Sequence, residues 1–244
     1  RETGTEDLWP VTCEPYIQWV LEDNFPNGRP AWEKVGVQFT TNIDPYEKMK
    51  IRLLNAGHSF LGFTGLLYGY ETIDQTVNNP DIQKTLRAFM DEEVTPVLGK
   101  VEGVNLTAYK DSLIERFKNP NIKDQLTRIC SESSAKLPKF LIPTIREQLE
   151  RNGPVNRSIF ALAAWCRLME LYGQEGLNYQ LKDEMLELLT NNAKLSAGDD
   201  PLMFIKISSV FGDLIDNDRF VNIYLSNIEN IRRNGIQAAL KNLI

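Results

Sequence analysis

Asp44-Pro45-Tyr46-Glu47-Lys48-Met49-Lys50-Ile51-Arg52-Leu53-Leu54-Asn55-Ala56-Gly57-His58 is the stretch on which the fold turns. Asp44 stands where a helix N-cap is expected, Pro45 at the first helical position, and Glu47 three residues after the cap, as in a capping box. Apolar residues then recur at helical spacing, so one helix is expected from Pro45 to about Gly69. Outward on the N-terminal side, Pro15 to Asp23 places Ile17, Val20 and Leu21 at helical spacing, and Asn24 to Pro30 is rich in turn residues. Val35 to Phe39 alternates and reads as a short strand. On the C-terminal side, helices are expected near 81–98, 105–118, 121–131, 138–152, 155–173, 178–195, 201–216 and 219–243. Asn119-Pro120, Asn152-Gly153-Pro154 and the segment from Gly198 to Pro201 separate them, with Asp81 and Asp200 as caps. The expected fold is mainly α, with at most one or two short strands, and residues 1–244 are expected to form one helical domain.

Composition narrows the function. The chain has 33 acidic and 27 basic side chains, a formal net charge of −6, 42% apolar and 25% charged residues. That balance is ordinary for a globular protein and argues against a nucleic-acid binder or an anionic-membrane binder. The longest apolar run, Ile159 to Cys166, is too short to span a bilayer. Cys13, Cys130 and Cys166 are too sparse for a disulfide framework, so a cytoplasmic setting is expected. No G-x-G-x-x-G and no P-loop occurs, so no phosphate cradle is recognisable. One histidine and three scattered cysteines do not make a standard zinc site, and no metal is expected.

The chemistry centres on Lys50, Asn55 and His58. On an ideal helix turning about 100° per residue, His58 falls about 80° and Asn55 about 140° from Lys50. Gly65, Gly69 and Gly62 continue that face at about 60°, 100° and 120°. Each glycine costs about 1 kcal/mol against alanine inside a helix, so the face needs a close neighbour, either another helix or a ligand. A lysine dried by burial sheds its proton more easily, because desolvation disfavours the ammonium. It could take a proton from an alcohol while Asn and His hold the oxygen and stabilise an alkoxide. The same residues also read as a core histidine beside two solvated polar positions, and spacing leaves both readings open.

The Lys50-x4-Asn55-x2-His58 pattern resembles the active-site signature of the polyol-specific long-chain dehydrogenases/reductases, the mannitol dehydrogenase family. Trp9-Pro10, Cys13-Glu14-Pro15-Tyr16, Ile17-Gln18-Trp19-Val20, Asn27-Gly28-Arg29-Pro30 and Pro45 to Asn55 carry the same resemblance, which extends past Lys136. It implies a metal-independent, NAD-dependent oxidation of a polyol such as mannitol to the ketose, with NADP as the other choice of cofactor. It implies Lys50 as general base, Asn55 and His58 on the reacting oxygen, and Arg128 and Lys136 on the outer hydroxyls of the substrate. Read without the family, Arg128 and Lys136 are solvated loop positions. The chain departs from the family at Glu132-Ser133-Ser134-Ala135, where members tend to carry an acid followed by Gly-Ser-Ser. The family enzyme is roughly twice as long, with a Rossmann-type nucleotide-binding domain first. A chain that starts at Arg1, with no Met and no glycine fingerprint, is expected to be the second domain alone, with the cofactor bound mainly by a domain outside it. Two alternatives stay open: a fructuronate or tagaturonate reductase of the same family, and a non-catalytic helical module that binds a sugar or a partner.

Overall fold

Pro45 sits in the first turn of the central helix, but Asp44 does not cap it. In the computed structural model, which describes residues 4, 6–11, 13–174, 179–198 and 200–244, Asp44 is itself the first helical residue. The Asn42 Oδ1 accepts from its backbone N–H at 3.1 Å, so the expected capping box is absent. Helix α1 (Asp44–Met49) runs without a break into a π-helical turn, Lys50–Asn55, and on into α2 (Ala56–Tyr68). Gly69 ends α2 at φ 86°, a left-handed cap that favours glycine.

The following elements are α3 (Ile73–Val77) and α4 (Pro80–Ala88), then a second π-helical turn, Phe89–Val94, and α5 (Thr95–Leu98). Asn79 caps α4, accepting from the N–H groups of Asp81 and Ile82; the expected Asp81 is one of the residues capped. Next come α6 (Leu106–Phe117), α7 (Leu126–Cys130), α8 (Ser133–Phe140), α9 (Ile142–Glu150) and α10 (Asn156–Leu171). The helix expected over 121–131 is thus a single short turn, because Lys123 adopts a left-handed backbone at φ 50° just ahead of it. After α10 follow α11 (Leu186–Ser196), α12 (Ser208–Phe211) and α13 (Asp218–Lys241), which breaks at Gly235 (φ 79°). The helix expected from 178 begins at Leu186: residue 178 lies outside the described residues, and Tyr179 to Met185 are not helical.

The helix expected over 15–23 is not formed. Val20–Glu22 is a strand, β1, and pairs in parallel with β2 (Gln38–Thr40), Val20 lying opposite Gln38. Ile17, Val20 and Leu21 fit a helical spacing by chance; the nearest buried surface reaches only Tyr16 and Val20, and only in part.

The core is one continuous apolar cluster around α2 and α10, which pack on each other. Both helices are buried on nearly every side, as helices apolar all round must be. Phe60 stacks on Phe89 at 5.9 Å and Phe63 on Trp165 at 6.0 Å between ring centroids. The start of α10 is capped from outside: the buried Glu93 carboxylate, carried on the second π turn, accepts from Arg157 N at 2.7 Å and Ser158 N at 2.8 Å. Among the described residues no helix is long and apolar enough to cross a membrane.

Candidate functional site

The π turn decides how the first two site residues meet. In a regular α-helix residues five apart lie about 140° apart, on different faces. A π turn closes i to i+5, so residues five apart come round to nearly the same face. Lys50 and Asn55 are that pair, and the Lys50 Nζ donates to Asn55 Oδ1 at 3.4 Å. Their meeting therefore rests on the π turn rather than on the sector an ideal helix would give. The turn is held from below: Arg52 within it donates to Glu147 Oε1 of α9 at 2.6 Å, and Lys48 donates to the other oxygen at 3.3 Å. The two cations hold the Glu147 carboxyl below its ordinary range, Arg52 contributing most.

His58 follows Asn55 by three residues, on the same face of α2, and its ring packs on Phe117 of α6 at 4.7 Å. Burial pushes its pKa down to about 4; Arg128, Arg116 and Lys50 push the same way, and only Asp124 opposes. At neutral pH the imidazole is therefore uncharged, with one nitrogen to donate and one to accept. Among the described residues no hydrogen bond occupies either nitrogen.

The glycines bring the second pair to the first. A Cβ on Gly62 would stand 2.7 Å from the Cys130 Sγ, and one on Gly65 would stand 2.3 Å from Thr76 Oγ1 and 2.7 Å from Leu126 Cδ1. Their close neighbours are helices α7 and α3 and not a ligand, which decides between the two readings of that face. Gly69 lies beyond the face, as the cap of α2. The tight crossing carries Arg128, on α7, toward His58. The Arg128 guanidinium is tied to Asp124 through both carboxylate oxygens, Nε to Oδ1 at 2.7 Å. Lys136, on α8, donates to the backbone carbonyls of Ile129 at 3.3 Å and Ser131 at 2.5 Å. Two of its three ammonium protons are thereby fixed, and burial, reinforced by Arg128, lowers its pKa. The departing segment Glu132–Ala135 forms the entry to α8: Ser134 N and Oγ both donate to the Asp183 carboxylate, at 2.9 and 2.5 Å.

Asn55, His58, Arg128 and Lys136 line one cleft of about 190 Å³, with Ser59, Ile129 and Phe140 completing its wall. Lys50 stands at the rim, exposed, and joins the group through Asn55. All five expected residues are thus gathered. Asp124 was not singled out in the sequence, although an acid four residues ahead of an arginine is a readable pairing signal. The cleft offers amide, imidazole, guanidinium and ammonium donors, and the carboxylate beside it is taken up by Arg128. Such a set can donate several hydrogen bonds to oxygen atoms placed in the cleft. Among the described residues no group of three His, Cys, Asp or Glu side chains could hold a metal ion. The three cysteines are free, Cys13 exposed and the other two buried.

Comparison with known proteins gives a consistent picture. Residues 42–232 match the model of the mannitol dehydrogenase C-terminal domain. The chain is 41% identical to mannitol 2-dehydrogenase of Phaeosphaeria nodorum, over 98% of this chain and 42% of that protein. Among solved structures, it superposes on Pseudomonas fluorescens mannitol 2-dehydrogenase in a ternary complex with NAD and D-mannitol, with a TM-score of 0.88 and 42% identity, over 97% of this chain and 48% of that one. It superposes on a substrate-free D-sorbitol dehydrogenase with a TM-score of 0.86 and 31% identity, over 98% of this chain and 49% of that one. The chain spans about half the length of the curated relatives it matches.

Proposed function

This chain belongs to the mannitol dehydrogenase C-terminal domain family, and from that premise we propose that it is the substrate-binding and catalytic part of an NAD-dependent polyol 2-dehydrogenase that oxidises mannitol to fructose. The observation that carries the reading is the single cleft onto which Asn55, His58, Arg128 and Lys136 converge, with Lys50 hydrogen-bonded at its rim.

Lys50 takes the proton of the reacting hydroxyl during oxidation and returns it during reduction. Asn55 spends Oδ1 on Lys50, which leaves its amide N–H to donate to the substrate oxygen. His58, uncharged, donates from the neighbouring turn, and the two donors together stabilise the alkoxide. Arg128 and Lys136 hold the outer hydroxyls, each already fixed by its own partner. Bound NAD supplies the hydride acceptor. The residues here fit only its reacting end: the rim at Lys50 is open, and the chain has no glycine-rich cradle for a pyrophosphate. A preceding nucleotide-binding domain holds the rest of the dinucleotide, and exclusion of water around the exposed Lys50 falls to that domain. NAD rather than NADP follows the Pseudomonas relative.

The uronate alternative loses one of its two candidate cations. A substrate carboxylate needs a free cation; the Arg128 fork is already filled by Asp124, which leaves Lys136, held only by backbone carbonyls, to meet it. The test is nicotinamide reduction by this chain joined to its nucleotide-binding half, with mannitol, arabinitol and mannonate side by side. Mannitol turnover by the joined protein, and none by the 244-residue chain, is the expected result. Preference for mannonate would move the reading to the reductases, and silence from a folded joined protein would move it to the binding module.

A further inference from the structure

The turn between α7 and α8 separates the two cations of the cleft, Arg128 on α7 and Lys136 on α8. It contains Glu132, whose left-handed backbone at φ 55° is costly for any residue but glycine. Such a conformation persists only where the surroundings hold it. Lys136 holds one side: its ammonium bridges the carbonyls of Ile129 and Ser131, just ahead of Glu132 in the chain. The other partners come from a distant segment. Glu132 N donates to Lys182 O at 2.7 Å, and Lys182 N donates to Ser131 Oγ at 3.2 Å. The Asp183 carboxylate then accepts from both the N–H and the hydroxyl of Ser134.

Asp183 is itself fixed. Its Oδ1 also accepts from Met185 N at 2.9 Å. Leu181 is buried in the core, and the Tyr179 hydroxyl donates to Leu168 O of α10 at 3.2 Å. A carboxylate in this place suits the start of α8, where free N–H groups and the helix dipole are positive. Burial and the Arg128 guanidinium lower the Lys136 pKa, while Cys130, Glu132 and Asp183 oppose that shift. Asp183 therefore acts on the ammonium across space as well as through the turn. It does not line the cleft.

We propose that Asp183 is a positioning residue for the outer end of the polyol: it locks the α7–α8 turn and so sets where the Lys136 ammonium stands relative to Arg128, without touching the substrate. The two cations then meet the outer hydroxyls at a fixed separation, which selects polyols whose hydroxyls match it. The inference rests on the functional reading in taking Lys136 as a substrate-binding residue.

The test uses the joined protein with Asp183→Ala and Asp183→Asn. Asp183→Ala is expected to raise KM for mannitol by about tenfold or more and to change kcat by less than about threefold. Asp183→Asn keeps one acceptor oxygen and should fall between it and the unsubstituted protein, and it decides the matter if the alanine variant folds poorly. Lys136→Met alone should also raise KM, and adding Asp183→Ala to it should change KM by less than about twofold, because the group being positioned is gone. An effect of Asp183→Ala that is equally large with and without Lys136 would overturn the proposal, and so would an unchanged KM in both Asp183 variants. A readout independent of turnover is the NMR titration of the Lys136 side chain in protein carrying isotope-labelled lysine, with the signal assigned by its absence from Lys136→Met. Asp183→Asn is expected to move that titration to lower pH, since one of the groups that oppose the depression is neutralised. No movement, or movement to higher pH, would also overturn the proposal. A joined protein in which the titration moves as expected but no polyol is oxidised retires the catalytic reading and leaves Asp183 as the residue that positions Lys136.

Discussion

His58 is a histidine kept neutral by its surroundings. Its pKa is near 4 in the folded chain and about 6.5 in an unfolded one, so the unfolded chain takes up a proton that the folded chain refuses. The stability it contributes is fully present above about pH 6.5 and is lost as pH falls toward 4. His58→Gln should reduce the loss of stability between pH 6.5 and 4.5 by on the order of 1–2 kcal/mol, measured by urea denaturation at each pH. Lys50→Ala in the joined protein should lower mannitol turnover by at least about a hundredfold if Lys50 moves the proton. Turnover near normal would remove that role. Asp124 should matter through Arg128: Asp124→Asn frees the guanidinium, and KM for mannitol should rise by about tenfold with kcat changed far less, on the scale of one charge-assisted hydrogen bond. At this scale the sequence was legible through residue type and family pattern together. Asp124 was legible only as an acid four residues ahead of Arg128; its effect on His58 appears only once α7 lies against α2.

Two elements depart from regular helix, and each delivers a side chain. The first π turn aligns Lys50 with Asn55, and the second carries Glu93 to the start of α10. Glu93→Ala should destabilise the fold by about 2–4 kcal/mol in chemical denaturation, since it strips acceptors from two backbone N–H groups and the buried Ser158 hydroxyl. Gly65→Ala should cost about 1–3 kcal/mol by overpacking, with Thr76 and Leu126 in the way. It should also raise KM, because α7 and its Arg128 must move outward. The long helix from 44 to 68 was readable from its periodicity and from Pro45. The π turns were not, because one extra residue per turn leaves the apolar spacing almost unchanged over so short a stretch. The strand at 20–22 was misread for a related reason: three apolar residues fit either period when the segment is this short.

At the scale of the whole molecule, the mainly helical class was legible because helical periodicity repeats over most of the chain and breaks at Pro and Gly. Parallel pairing across Asp23 to Val37 was not, because it joins segments whose local patterns say nothing of each other. The helical core is continuous and its chemistry is gathered on one cleft, yet the residue assigned to the proton sits in the open. That exposure makes Lys50 a reporter of closure. An amine-reactive reagent should acylate it readily in the unliganded joined protein and much more slowly once dinucleotide and mannitol are bound, while Lys241, exposed at the end of α13, labels alike in both. Peptide mass spectrometry would then time the sealing of the cleft directly, one lysine serving as the latch and the other as the clock.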